Sequence, residues 1–168
     1  PARLVEHAGD GAIHAAAGGA SVLLVEKMPA PGRKILITGK GRCNFTNSCE
    51  IADFPRFFAS NGAFLNSALR SFDNQDVIDF FASHGVPSRV ERGGRLFPET
   101  DKARDIVDAL VKAARQAGVK VLTDQTVRSL CMENGQITGV VTATGVLRAD
   151  AVILATGGLS YPGTGSTG

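Results

Sequence analysis

The stretch Ser21-Val22-Leu23-Leu24-Val25 narrows the fold more than any other, because its apolar run ends at once in Glu26-Lys27. A continuous apolar run, without the in–out alternation of a half-wetted strand, is the pattern of a parallel strand buried on both faces. Parallel strands need crossover connections, usually helical, so this run commits the chain to an α/β fold. A carboxylate at the end of such a strand suits hydrogen bonding to a ribose in a dinucleotide-binding unit. It equally suits a plain solvated strand end.

Near the other end, Ala151-Val152-Ile153-Leu154 is again wholly apolar and runs straight into Ala155-Thr156-Gly157-Gly158. Small residues there let a ligand approach the carboxyl end of the strand, where open α/β sheets bind ligands. Upstream of Glu26 a dinucleotide-binding unit requires a strand, a glycine-rich turn and a helix. Ala12 to Ala17 are strong helix formers, and Gly18-Gly19 supplies the stop. By contrast, residues 1–8 lack the apolar run of a central strand, and no strand is expected there. Gly9-Asp10-Gly11 gives the first two glycines of a G-x-G-x-x-G, but His14 stands at the third position. The interval from Gly9 to Glu26 is also shorter than the roughly 20 residues of such units. The expectation is a phosphate-binding turn that is absent or broken.

Between these landmarks lies Pro31 to Asn47, where glycine and positive charge occur together. Ile35-Leu36-Ile37 predicts a short strand between two loops. Glycines admit close backbone approach to a ligand, while Arg33, Lys34, Lys40 and Arg42 add charge and donors. Asn44, Thr46 and Asn47 add neutral polar groups that suit a planar, heteroatom-rich ligand; an ordinary basic turn has the same composition.

The middle of the chain reads as a helical excursion. Phe54, Phe57 and Phe58 are expected in the core. Asn61 is placed to cap a helix whose buried face is Phe64, Leu65, Ala68, Leu69 and Phe72. Asn74 is placed to cap a second helix closed by Gly85, with His84 favouring its C-terminal dipole. Ser88 to Glu91 and Arg95 to Phe97 form short strands about Arg92-Gly93-Gly94, with Arg92 and Arg95 assigned to strand-end ion pairs or to a ligand. Thr100 then caps a long amphipathic helix ending at Gly118. Val119 to Leu122 is a strand, followed by a meander over 125–132, 136–142 and 146–149.

Composition excludes several alternatives. The 168 residues fit one domain, and 43% hydrophobic with 20% charged residues describes an ordered globular chain. A net charge of +2, with no dense basic tract, argues against nucleic acid as a partner. No apolar run reaches membrane-spanning length. Cys43, Cys49 and Cys131 have no metal-ligand spacing and are odd in number, which points to a reduced, cytoplasmic protein and to no metal site.

Taken together, the strand ending Val25-Glu26-Lys27, the loop Gly39-Lys40-Gly41-Arg42-Cys43-Asn44-Phe45-Thr46-Asn47, the segment Glu91 to Pro98 and the block Ile153 to Gly158 closely resemble the YhiN/BaiN-like FAD-dependent oxidoreductases. The Thr38 to Asn47 run and Ser160-Tyr161-Pro162 are specific to that family; the other blocks are shared by many flavoproteins. The resemblance covers about residue 20 to the end.

The resemblance implies an FAD/NAD(P)-binding Rossmann-like parallel sheet with a β-meander and a helical excursion over about 60–118, incomplete at both ends. Residues 1–168 would then be a partial FAD-binding domain, the N-terminal part of a protein whose substrate domain lies elsewhere. It implies Glu26 on the adenosine ribose with Lys27 beside it, and Val127 offering backbone groups to the adenine. Arg33, Lys34, Thr38, Gly39, Gly41, Arg42, Cys43 and Asn44 would run along the pyrophosphate towards the flavin, with Ala155, Thr156, Gly157 and Gly158 lining the cofactor. The implied activity is flavin-mediated hydride or electron transfer, with NAD(P)H as a donor and a small-molecule substrate. The alternative is a non-catalytic fragment with a degenerate cofactor site. Cys43, between Arg42 and Asn44, is either a thiol activated by positive charge or a small packing residue. No catalytic acid or base is identified.

Overall fold

The computed structural model describes residues 2–6 and 9–166. In chain order its elements are β1 (Ala2–Glu6), α1 (Gly9–Ala17), β2 (Ser21–Val25), α2 (Arg33–Ile37), β3 (Thr46–Asn47), α3 (Asn66–Ser71), α4 (Asn74–Ser83), β4 (Ser88–Glu91), β5 (Arg95–Pro98), α5 (Ala103–Gln116), β6 (Lys120–Leu122), β7 (Val127–Glu133), β8 (Gln136–Thr142), β9 (Gly145–Arg148) and β10 (Ala151–Ile153). Short 3-10 turns occupy Thr38–Gly41, Ile51–Phe57, Ala59–Leu65 and Pro162–Thr164. The chain divides into two compact units, one formed by residues 1–34 and 110–168, the other by residues 35–109.

The first unit is built on a parallel sheet of order β10-β1-β2-β6. The strand that residues 1–8 were not expected to form is therefore present over Ala2–Glu6. It pairs with β10 from Arg3↔Ala151 to Val5↔Ile153 and with β2 from Ala2↔Ser21 to Glu6↔Val25. The cause is tertiary: hydrogen-bonding edges on both sides satisfy the backbone of a segment whose own apolar content is too low to announce a strand.

α1 packs on this sheet through Ala12, which is 0% exposed and clusters with Val22, Leu24, Ala114 and Val119. His14, at the position read as the third glycine, faces solvent. Gly9 and Gly11 lie inside the helix, not in a turn before it. The antiparallel meander β7-β8-β9 completes the unit, with register shifts between Val127 and Ser129 and between Cys131 and Met132. Val25, Val140 and Ala149 form its core with Leu23, Val127, Leu147 and Val152.

The second unit carries a three-stranded antiparallel sheet of order β3-β5-β4, with Leu96 and Phe97 buried. Ile35-Leu36-Ile37, expected as a strand, is the end of α2. A three-residue apolar run does not choose between helix and strand, and no described strand pairs with it. The aromatic residues between 54 and 64 also depart from expectation: Phe57 is 74% exposed and Phe64 is 88% exposed. Two successive 3-10 segments replace the expected loop and helix start, and a threefold turn does not keep a 3.6-residue apolar stripe on one face.

The caps of this unit can be read directly. α4 is capped by Asp73, not Asn74, in a capping box: Asp73 accepts from Gln75 N–H and Asp76 N–H, and Asp76 accepts from Asp73 N–H. Asn74 instead donates to the carbonyls of Asn47 at 2.8 Å and Cys49 at 3.1 Å. His84 Nδ1 lies 2.7 Å from the Phe80 carbonyl at the end of that helix. In α5, Ile106, Val107, Ala109, Ala113 and Ala114 are buried, as its amphipathic spacing requires.

Candidate functional site

The strand order fixes where a ligand can approach the first unit. From β1 the chain winds outward through β2 to β6, and later returns to add β10 on the opposite edge of β1. The direction of winding reverses at β1, so the carboxyl ends of β1 and β10 and the start of α1 form the topological switch point of the sheet. A helix N-terminus at that place favours negative charge. The residues joining β1 to α1 lie outside the described residues, while Gly9-Asp10-Gly11 and His14, which carry the broken glycine motif, lie within α1.

Glu26 follows β2 directly and is only 3% exposed. Its backbone N–H donates to Leu122 at 2.8 Å, its carbonyl accepts from Gln125 N–H at 3.0 Å, and Oε1 accepts from Met28 N–H at 2.7 Å. The β2–β6 pairing thus continues past the strand and pins the carboxylate at the sheet's carboxyl end. Val127 opens β7 opposite Thr142, with its side chain against the Val25 core.

After β10 the chain leaves regular structure. Ala155 and Thr156 are half-buried, and Gly157 and Gly158 are exposed. Gly157 holds φ 75°, and a Cβ there would stand 2.9 Å from Ser166 Oγ, so only glycine fits without displacing the buried Ser166. Lys34 Nζ donates to Ser160 Oγ at 3.0 Å; Arg33 is exposed.

In the second unit, Thr38 to Asn44 make a compact turn. Gly39, Lys40, Gly41 and Cys43 all have positive φ, at 54°, 59°, 85° and 61°. Cys43 N–H donates to the Thr38 carbonyl at 3.1 Å, and Thr38 Oγ1 donates to the Ile35 carbonyl at 2.7 Å. A Cβ on Gly39 would lie 3.0 Å from Asn44 N and 3.1 Å from Phe97 Cε1, so the turn rests on the Phe97 ring. The Cys43 thiol is 5% exposed, and burial pushes its pKa up, against a lowering hydrogen bond with Thr38. Of its two readings, the packing residue is the one this environment supports.

Arg42 is not directed at open solvent. Nη1 lies 2.8 Å from Glu91 Oε1 and 3.4 Å from Asp101 Oδ1, and its guanidinium carbon sits 4.1 Å from the centre of the Phe97 ring. Arg89 reaches the same carboxylates, at 3.0 Å from Glu91 and 2.6 Å from Asp101. The strand-end ion pairs assigned to Arg92 and Arg95 are made by Arg89; Arg95 Nε donates to the Arg92 carbonyl at 3.1 Å. Asn47, read as a ligand group, donates to the Gly93 carbonyl at 2.8 Å and accepts from Cys49 N–H at 2.9 Å.

Phe97, Arg89 and Asp101 escaped the sequence reading. Phe97 and Asp101 meet Arg42 across more than fifty residues, and Arg89 reaches Asp101 as well as Glu91 only because β4 and the chain after β5 lie side by side. Among the described residues no cluster of three or more His, Cys, Asp or Glu is placed to hold a metal ion. No helix among the described residues is long and apolar enough to cross a membrane.

Comparison with known proteins gives a consistent result. The family model for the HI0933-like protein Rossmann domain matches residues 9–168. That match begins at the first residue of α1, further towards the N-terminus than the blocks that carried the resemblance. The chain is 35% identical over 152 residues to a 3-dehydro-bile acid delta(4,6)-reductase of Clostridium scindens, covering 90% of this chain and 36% of that protein. It is 35% identical over 158 residues to a ribosomal RNA dihydrouridine synthase of Escherichia coli, covering 89% of this chain and 36% of that protein. The chain therefore spans about a third of the length of these curated relatives.

Solved structures agree on the fold. A 3-ketosteroid-delta4-(5alpha)-dehydrogenase from Rhodococcus jostii RHA1, in complex with 4-androstene-3,17-dione, superposes with a TM-score of 0.73 at 16% identity, covering 95% of this chain and 46% of that one. A flavocytochrome c3 fumarate reductase superposes with a TM-score of 0.62 at 22% identity, covering 94% of this chain and 33% of that one. At these identities the likeness is one of architecture, a Rossmann-like fold.

Proposed function

The chain belongs to the HI0933-like family and carries its Rossmann domain, and from that premise we propose that it is the FAD-binding portion of a flavin-dependent oxidoreductase. What carries the reading is the carboxylate of Glu26, buried and pinned at the carboxyl end of β2 beside the sheet's switch point. A ribose diol needs an acceptor of that kind, and a pyrophosphate needs N–H groups and positive charge. The residues present fit an adenine dinucleotide in this respect.

In this reading Glu26 holds the ribose with Lys27 beside it, and Val127 offers backbone groups to the adenine. Arg33 and Lys34 provide positive charge, and Ala155, Thr156, Gly157 and Gly158 lie along the cofactor past β10. The turn bearing Thr38, Gly39, Gly41, Arg42, Cys43 and Asn44 is assigned to the flavin end by the same resemblance. FAD, when bound, supplies the hydride chemistry; the protein supplies position and electrostatics. NAD(P)H is the proposed donor, and residues 1–168 form one partial cofactor domain, with the substrate domain elsewhere in the longer protein. The free cysteines Cys43, Cys49 and Cys131 go with a reducing, cytoplasmic setting.

The names of the two relatives share a chemical theme. A delta(4,6)-unsaturated 3-dehydro-bile acid is a conjugated ketone, and dihydrouridine differs from uridine by two hydrogens added across a double bond conjugated to a carbonyl. The substrate class proposed for the intact protein is accordingly a small molecule with a carbon–carbon double bond conjugated to a carbonyl. An RNA base belongs to the same chemical class, and the E. coli relative keeps that substrate in view.

A second reading, a chain without competent cofactor binding, draws on His14 in place of a third glycine and on the G-x-G lying inside α1. Titration of the purified 168-residue chain with FAD, followed by flavin absorbance, separates the two. Saturable one-to-one binding, lost in Glu26→Ala, is the expected result. A folded chain that takes up no FAD overturns the first reading in favour of the second.

A further inference from the structure

Within the second unit, the Phe97 ring supports the left-handed turn from two residues. The Gly39 backbone approaches its edge, so that a Cβ would stand 3.1 Å from Cε1, and the Arg42 guanidinium lies 4.1 Å from its centre. Arg42 is held in turn by Glu91 and Asp101, and both carboxylates are shared with Arg89. Two guanidinium groups thus face two carboxylates, and the cluster is neutral. Arg89 adds a hydrogen bond from Nη1 to the Glu99 carbonyl at 3.0 Å, fixing the cluster to the chain after β5.

A turn with four positive-φ residues, two of them the non-glycine Lys40 and Cys43, is costly to hold. Such conformations persist where surrounding contacts over-determine them. A cation on an aromatic face, closed by charge-assisted hydrogen bonds, gives the turn that support. Lys40, in the same turn, is exposed and makes no ion pair among the described residues.

We propose that Arg42 is a positioning residue: it acts through Phe97, Glu91 and Asp101 to set the shape of the Gly39–Asn44 turn, and does not act as a cation paired to a bound anion. The proposal deepens the cofactor reading above and rests on it for the ligand, while the shape of the turn can be read without any ligand.

Glu91→Gln separates the two roles by sign. It leaves the charge of Arg42 in place and removes a competing carboxylate. A direct anion contact predicts equal or tighter FAD binding; a positioning role predicts binding at least tenfold weaker. Arg42→Gln is expected to weaken FAD to a similar degree, and Arg42→Lys, which keeps the ion pairs, to recover it to within about threefold of wild type. The Arg42→Gln/Glu91→Gln double variant is expected to be no weaker than Arg42→Gln alone.

The ligand-free readout is alkylation of the buried Cys43 thiol, quantified by peptide mass spectrometry against Cys131 in the other unit. Arg42→Gln and Glu91→Gln are expected to speed Cys43 labelling at least tenfold with Cys131 unchanged. Lys40→Gln, which removes the same charge from the same turn, is expected to leave Cys43 labelling as it is. Unchanged Cys43 labelling in Arg42→Gln, equal acceleration by Lys40→Gln, a parallel rise at Cys131, or equal or tighter FAD binding by Glu91→Gln would each overturn the proposal. If the wild-type chain takes up no FAD, the cofactor reading fails, and the labelling arm still decides the role of Arg42.

Discussion

The backbone N–H of Met28 donates to Oε1 of Glu26 at 2.7 Å, bending the chain back over the end of β2 and fixing the carboxylate where the sheet stops. The same residue continues the β2–β6 pairing through both of its backbone groups, to Leu122 and Gln125. A side chain held by its own turn does not have to be ordered by a ligand, which lowers the entropic cost of binding one.

Glu26 therefore separates structure from recognition. Glu26→Gln keeps an oxygen for the Met28 N–H, so its stability is expected near wild type while FAD affinity falls about tenfold or more with the loss of a charged acceptor. Glu26→Ala removes that oxygen as well and is expected to lower stability by about 1–3 kcal/mol. Urea unfolding and FAD titration of both variants check this. Equal stability loss in the two would show that the Met28 contact does not matter.

Position 14 offers a test of how the start of the chain is aligned. His14 is on the solvent side of α1, and Ala12 is the residue pressed against the sheet. Restoring the motif by His14→Gly is expected to lower stability by about 1 kcal/mol, as glycine does in an exposed helix, and not to tighten FAD. Ala12→Leu is expected to lower it by about 1–3 kcal/mol through overpacking. Thermal melts of the two variants, with FAD titration of the first, give the comparison.

Gly39→Ala combines a φ of 54° with a Cβ 3.0 Å from Asn44 N and 3.1 Å from Phe97 Cε1. The expected loss is about 1–3 kcal/mol, with faster alkylation of Cys43 as the turn lifts from the ring. A melting temperature equal to wild type, with Cys43 still protected, would contradict the packing described for this turn.

The acid limb of stability tests the ion cluster. Hydrogen bonds from Arg42 and then Arg89 hold the Glu91 carboxyl below the ordinary carboxylate range, and Arg89 does the same for Asp101. A carboxylate whose folded pKa is depressed stabilises the fold fully above its unfolded pKa, about 4, and that contribution is lost as pH falls through the folded value. The Glu91→Gln/Asp101→Asn variant is therefore expected to show a flatter dependence of urea midpoint on pH below about pH 4 than wild type. Parallel curves for the two proteins would show that the cluster contributes no pH-dependent stability.

What local sequence determined is what local chemistry controls. The apolar runs Val22 to Val25 and Ala151 to Ile153 are strands of one parallel sheet, and the turns at Asn134-Gly135 and Gly145 set the meander. The placement of Glu26 at the end of β2 follows from the run that precedes it. Family membership was visible in the same way, since its blocks are contiguous.

Tertiary structure decided the rest, and in each case through partners distant in the chain. Ala2–Glu6 is a strand because β10 and β2 flank it, not because its own residues demand one. Ile35 to Ile37 is helical and no described strand pairs with it, and Ala12 took the close-packed position because the fold set the register of α1. Arg42 looked like one more cation in a basic loop. Its partners stand 49 and 59 residues away, where no spacing rule reaches, and only the folded second unit brings two carboxylates and an aromatic face onto one guanidinium.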